Sequence, residues 1–257
     1  MQVRTQISPK RDFAIGMAGI GTFVAIWCFL TYGGHVKPLF LPSPTLIFEA
    51  AKEYADQGWL FNAILKSFLR VLTSLLLVIA IGVPIGVLMG AFPPIDAFLR
   101  KIVNAGKSIP TTGIVGLVVL WFSVEEKAKI VFLFLGAVFY MIILVKNAVV
   151  SVRDDYVRVA TDLGAKPAQV LLKVLVPGAI PQIWDAIAVA NGIMWTYIVL
   201  AEFINSNESQ LGLGYLLYIG SRTQNSGKVF AALIVIGLVS TVSDWIMQMV
   251  KKRFFAW

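Results

Sequence analysis

Side chains that could do chemistry are few in this chain, and their spacing fits no catalytic site. The sequence holds no His-Glu-x-x-His, no Cys-x-x-Cys and no nucleophile elbow. Metal-assisted hydrolysis, thiol redox chemistry and acyl transfer therefore lack their usual groups. Gly106-Lys107-Ser108 looks like the end of a phosphate-cradling loop. Such a loop needs a glycine five residues before its Gly-Lys-Ser and a strand ahead of it. Lys101 stands at that position, in sequence that reads as membrane helix. With no cradle for phosphate, the chain has no means of hydrolysing ATP; we expect no enzyme activity and no cofactor. The lone His35 reads either as a solvated loop residue or as a functional one.

What remains is a set of polar groups inside apolar sequence. Trp184, Asn191, Trp195 and Glu202 are separated by 7, 4 and 7 residues, which puts them on one face of a helix. Polar groups within a membrane turn toward the interior of a helix bundle. Two roles fit this face. Asn191 hydrogen-bonds another helix while Trp184 and Glu202 anchor at the interface, or the face lines a translocation path. Tyr140 and Asn147 join Asn191 and Trp195 as candidate path residues. Lys146 and Asp185 lie near the same ends of their segments; they either pair or reach the interface separately, and the second reading is preferred.

These residues need a membrane around them. Of 257 residues, 58% are hydrophobic and only 14% charged, against roughly 45–50% and 25% in soluble domains. A spanning helix needs about 20 mostly apolar residues. Six segments qualify as spans, at about 13–31, 71–92, 109–122, 128–150, 180–200 and 229–250; the third is short and opens with Pro110. The first is too long for a signal peptide and lacks its small-residue cleavage site, so it reads as retained. Gly82, Gly86 and Gly90 fall four apart in the second span, the spacing that lets membrane helices approach closely. Cys28 is the single cysteine, so no internal disulfide can form.

Lys and Arg set the orientation, because short cytoplasmic loops hold their excess. Arg4, Lys10 and Arg11 precede the first span, Arg100, Lys101 and Lys107 the third, and Lys146, Arg153, Arg158, Lys166 and Lys173 the fifth, while the tail, "VKKRFFAW", carries Lys251, Lys252 and Arg253. The loops at 36–67, 125–129 and 202–228 are balanced by acids. The alternation predicts six spans with both termini cytoplasmic. The net charge of +8 then reflects inside loops beside anionic lipid rather than nucleic-acid binding.

The charged stretch at 153–177 is the longest departure from apolar sequence. Val157, Ala160, Leu163, Val170, Leu171, Val174 and Leu175 recur at helical spacing, with Arg158, Asp162, Lys166, Gln169 and Lys173 on the other side. Gly164 suits the residue that ends one helix, and Pro167 the first turn of the next. Two short helices joined at Gly164-Ala165-Lys166 are predicted, with Pro177 and Pro181 marking the entry to the fifth span. Such an element either rests on lipid headgroups or docks a cytoplasmic partner.

This stretch resembles the cytoplasmic loop of permeases from binding-protein-dependent ABC importers. Gly164 matches the family glycine, Ala160 the second alanine of its Glu-Ala-Ala, Val174 an isoleucine, and Val176-Pro177 a Leu-Pro; Arg158 stands where the family has Glu, and Val159 replaces the first alanine. "PLFLPSPTLIFEA", "SIPTTGIVGLVVLWFSVEEKAKIVFL" and "IVLAEFINSNESQLGLGYLL" extend the likeness to the nitrate, sulfonate and taurine branch over nearly the whole chain. The resemblance implies an all-α polytopic membrane protein of about six helices. It implies one transmembrane domain over 1–257, with an N-terminal span and entry segment at 1–63, a core at 64–250 and a coupling loop at 153–177. It assigns Arg158, Ala160, Asp162, Gly164, Ala165, Lys166 and Pro167 to contact with an ATPase. It further implies two ATPase subunits, a soluble extracytoplasmic binding protein, a second copy of the permease, and import of a small anion or sulfonate across the inner membrane. An ion-driven secondary transporter and a membrane anchor for a cytoplasmic enzyme are the alternative readings.

Overall fold

Hydrocarbon offers no hydrogen-bond partners to the backbone, so a chain this apolar must satisfy its amides within helices. The computed structural model describes residues 8–123, 125–203 and 211–254, and among them there are helices and no strands. In chain order these are α1 (Pro9–Tyr32), α2 (Pro44–Asp56), α3 (Trp59–Ala91), α4 (Pro93–Ser108), α5 (Thr111–Phe122), α6 (Glu126–Val150), α7 (Asp154–Asp162), α8 (Pro167–Val170), α9 (Val176–Phe203), α10 (Leu213–Arg222) and α11 (Ser226–Phe254). Four helices open on a proline, at Pro9, Pro44, Pro93 and Pro167, where the missing N–H would have had no partner within the helix.

The core is α3, α6 and α9 packed side by side. Gly82, Gly86 and Gly90 face α6 so closely that a Cβ on each would lie 2.8 Å from Met141 Cγ, 2.7 Å from the Ile142 carbonyl oxygen and 2.7 Å from Val149 Cβ. The small-residue stripe is therefore the contact surface between the two helices. Phe132, Leu133, Met141 and Val145 of α6 and Ala190, Met194 and Ile198 of α9 are fully buried in the same cluster. Helix α11 packs outside α9 and against α2 and α10. Helix α1 stands apart, tied down where the Trp27 indole donates to the Pro42 carbonyl at 3.0 Å.

Five helical segments are long and apolar enough to span, and the count reaches six when α4 and α5 are taken as one bent crossing. That corrects the third predicted span. Helix α5 has 12 residues, about 18 Å at 1.5 Å per residue, too short for a core of about 30 Å. It follows α4 across a bend of 96°. The second span is longer than predicted, because α3 starts at Trp59 rather than near Val71; the division expected at 63/64 thus falls inside this helix. The fifth span is longer as well. From Pro167 the chain runs helically to Phe203, with a wide π-helical turn at Leu171–Leu175 just before Pro177. A proline ring collides with the carbonyl four residues back, and a wider turn there keeps the helix continuous. Arg4 and the 204–210 part of the loop after the fifth span lie outside the described residues.

Candidate functional site: the loop knob and the charged cluster at the other end

Helices α7 and α8 form a knob beyond one end of the bundle. Helix α7 ends in a two-bond glycine cap: the Gly164 N–H donates to the Thr161 carbonyl at 2.8 Å and the Ala165 N–H to the Ala160 carbonyl at 3.0 Å. The cap puts Gly164 at φ +81°, a left-handed conformation that glycine adopts without a Cβ penalty. Lys166 precedes α8, and its N–H is taken by the Gln169 side chain at 2.8 Å. Val157, Thr161, Ala165, Pro167 and Val170 line a cleft of about 280 Å³ against Ala91 and Phe92 at the end of α3.

The other face of the knob is open. Arg158, Asp162, Gly164, Lys166 and Pro167 are exposed, with Ala160 and Ala165 half-buried. The predicted division of faces fails at one residue: Leu163, expected on the inward apolar side, points out and is 83% exposed, together with Tyr156 and Val159. The knob thus shows an apolar tip ringed by charge.

Polar residues within the bundle find partners that spacing alone does not reveal. Asn191 is buried; its Nδ2 donates to Asp244 Oδ1 at 3.2 Å, and Ser243 Oγ donates to its Oδ1 at 3.2 Å. Trp184 donates to the Met247 carbonyl at 2.9 Å. The lower half of that face is therefore bonded to α11. Trp195 is buried and its indole N–H meets no acceptor among the described residues. Tyr140 is half-buried and Asn147 exposed on α6. Lys146 and Asp185 neither pair with each other nor stand alone. Lys146 Nζ lies 2.7 Å from Asp96, which also binds Arg100, and Asp185 pairs with Lys251 at 2.6 Å.

The largest surprise lies at the opposite end of the bundle. Arg70 is 21 residues before Ala91, about 32 Å along α3 from the knob. Its Nε and Nη2 donate to both oxygens of Glu126, at 2.6 and 2.5 Å, and its Nη1 donates to Glu202 at 2.8 Å. Glu202 also accepts from Ser67 at 2.6 Å and from the Gly214 N–H at 2.6 Å, while Ser67 accepts from the Leu213 N–H at 2.9 Å. Lys129 is fully buried, 3.5 Å from Glu126. Glu202 is thus no interfacial anchor but a buried cap on α10. Gly212 and Gly214 make room for it, because a Cβ would come within 2.5 Å of Arg70 and Glu202 in the first case and within 2.7 Å of Glu202 in the second. Nearby, the Tyr54 hydroxyl donates to the Leu216 carbonyl at 2.9 Å, and burial together with Glu53 pushes its pKa up to about 12. Sequence reasoning passed over Arg70 because the span was begun one residue after it. It passed over Glu126 and Lys129 because they read as a balanced loop.

Residues 82–256 match the family model described as the inner membrane component of binding-protein-dependent transport systems. The chain belongs to that family. It is an ABC-importer permease, a membrane transport protein. Relatives of the permease include the taurine transport system permease protein of Escherichia coli strain K12, 26% identical over 253 residues that cover 96% of this chain and 91% of that one. A putative aliphatic sulfonates transport permease of Bacillus subtilis strain 168 is 30% identical over 234 residues, covering 91% and 84%. The inward-facing MetNI methionine ABC transporter superposes with a TM-score of 0.64 over 76% of the permease and 98% of that chain, at 22% identity, and shares its fold.

Proposed function

We propose that two copies of this chain form the translocation path of an importer for small sulfonates or related anions. Two ATPase subunits grip the α7–α8 knobs in the cytoplasm, and a soluble binding protein delivers the substrate at the opposite end. The observation that carries this reading is the knob itself: Tyr156, Val159 and Leu163 exposed at its tip, flanked by Arg158, Asp162 and Lys166, and held rigid by the cap at Gly164. The 153–177 segment is then the coupling loop, and the region from α3 onward is the permease core. Nucleotide-driven closure of the ATPases moves the knobs together. Each knob is continuous with α9 through the π turn and packs against the end of α3, so the motion reaches both helices. Trp195, Tyr140 and Asn147 are the candidate path residues, and Asn191, bonded to Ser243 and Asp244 of α11, is the member of that set that instead ties two helices together. The substrate class rests on the taurine and sulfonate relatives.

The reading is tested by reconstituting the chain in proteoliposomes with its ATPase and binding protein, and measuring uptake of labelled taurine and ethanesulfonate. ATP-dependent uptake that requires the binding protein is expected. Uptake driven by an ion gradient without ATP would replace this reading with that of a secondary transporter.

A further inference from the structure

Gly106-Lys107-Ser108 is no phosphate loop, yet the structure puts its lysine in a place where a charge needs a reason. Helix α4 climbs along α6. Asp96 meets Lys146 about one turn before the end of α6, at the knob end. Further along α4, a Cβ on Gly106 would lie 2.5 Å from the Phe139 ring, and just past the bend Thr111 Cγ2 lies 3.2 Å from where a Cβ on Gly136 would be. Phe139 is 13 residues from Glu126 and 11 from Val150, about 20 and 17 Å along α6. The corner between α4 and α5 therefore sits near the middle of a hydrocarbon layer about 30 Å thick. Lys107 is at that corner. In the sequence it reads as an inside-loop charge; in the structure it is too far from either surface for its side chain to reach out of the layer.

Helix α4 has three faces. Asp96, Leu99, Val103 and Gly106 pack into the bundle. Phe98 and Ile102 form an apolar face that is 77% and 59% exposed. Lys101, Asn104, Lys107 and Ser108, spaced three and four apart, form an exposed polar face between the other two. The Ser108 hydroxyl donates to the Asn104 carbonyl at 2.9 Å. Among the described residues, the Lys107 ammonium and the Asn104 amide have no hydrogen-bond or ion-pair partner. An ammonium left against lipid at this depth is costly, and charged groups within spans face a bundle interior or water. The break at Ser108-Ile109-Pro110 points the same way, because non-helical backbone at membrane depth is tolerated only inside protein or beside a water-filled cavity. The polar face is open on the single chain, so its cover comes from the assembly. The apolar face suits lipid; the polar face suits water.

We propose that the polar face of α4 lines the translocation path, and that Lys107 with the Asn104 amide binds the sulfonate there, near mid-membrane. The path and the substrate class rest on the importer reading above. The ammonium supplies the positive charge that a sulfonate needs once it has left bulk water, and its N–H groups and those of the amide donate to the sulfonate oxygens. Lys101, nearer the knob end on the same face, continues the positive surface toward the cytoplasm.

The test is cysteine modification in membrane fragments open to both faces, from cells that make the full chain with Cys28→Ser. The reagent is sulfonatoethyl methanethiosulfonate, a charged thiol reagent that reacts where water reaches. Ser108→Cys, beside Lys107, should be modified, while Ile102→Cys on the apolar face should not. Ethanesulfonate should slow the modification of Ser108→Cys saturably, to about one fifth of its rate at four times the half-saturating concentration by mass action. Chloride at matched ionic strength should not. Adding Lys107→Met should abolish this protection, and Lys107→Arg should keep it. A Ser108→Cys no more reactive than Ile102→Cys would overturn the proposal by showing the polar face to be dry. Protection no greater than that by chloride, or protection that survives Lys107→Met, would overturn it by removing Lys107 as the site. None of these readouts uses ATP or uptake, so failure of the site and failure of the importer reading are separable.

Discussion

At the scale of single residues, the structure turns isolated polar letters into bonded pairs across helices. Asn191 is the clearest case. Its amide joins α9 to Ser243 and Asp244 of α11, so Asp244 is a carboxylate within a span that has a donor in place. Replacing the amide by leucine removes that donor and leaves Asp244 to find water. We predict that Asn191→Leu lowers the thermal midpoint of the purified complex by an amount corresponding to about 1 kcal/mol, since membrane hydrogen bonds average about 0.6 kcal/mol and stranding a partner adds to that. Uptake per folded complex should be unchanged. Unchanged stability with altered substrate preference would instead place Asn191 on the path. The glycines at 212 and 214 follow the same logic without any need for unusual backbone angles. Gly212 is extended, at φ −163°, and its requirement is purely for space beside Arg70 and Glu202.

At the scale of elements, the knob depends on one left-handed residue. Gly164 has open space around its Cα, so the only obstacle to a side chain there is φ +81°. A β-branched residue in that conformation costs of order 1–2 kcal/mol, enough to unwind the cap and swing α8 away from α7. Gly164→Val should therefore sharply reduce ATP-dependent uptake while the ATPase still co-purifies. Gly164→Asn, which tolerates the left-handed region, should keep most of the activity. Equal uptake by both variants and wild type would show that the turn does not transmit motion. The turn was legible in the sequence because glycine before Lys-Pro after an amphipathic run has few other uses. The long apolar runs were equally legible, since about 20 such residues have one place to go. The break between α4 and α5 was less so, because Pro110 and a short apolar run suit either a short span or half of a bent one. The Arg70 cluster was hidden for a physical reason. Its members lie 56 and 132 residues from Arg70 in sequence, and each taken singly is an ordinary charge.

At the scale of the whole molecule, the question is which end faces which compartment. Helix α1 runs from Pro9 to Tyr32, and the Tyr32 hydroxyl contacts Thr45 of α2, whose Tyr54 bonds α10 at the Arg70 end. Pro9 thus starts at the knob end. Helix α11 finishes there too, since Lys251 pairs with Asp185 in the first turns of α9. The described helices therefore cross an even number of times. The knob end carries Lys101, Arg153, Arg158, Lys166, Lys173, Lys252 and Arg253 against few acids. At the other end Lys228 is neutralised by Glu53 at 2.6 Å, and Glu49 and Asp56 lie close by in sequence. Positive charge is retained on the cytoplasmic side during insertion, so we propose that the knob end faces the cytoplasm. In a Cys28→Ser background, a membrane-impermeant maleimide added to intact cells should modify Gln57→Cys, which is exposed in the turn after α2, and should leave Lys252→Cys unmodified until the cells are broken. The opposite pattern would put the knob outside the cell, beyond the reach of any ATPase, and would remove the importer mechanism along with the orientation.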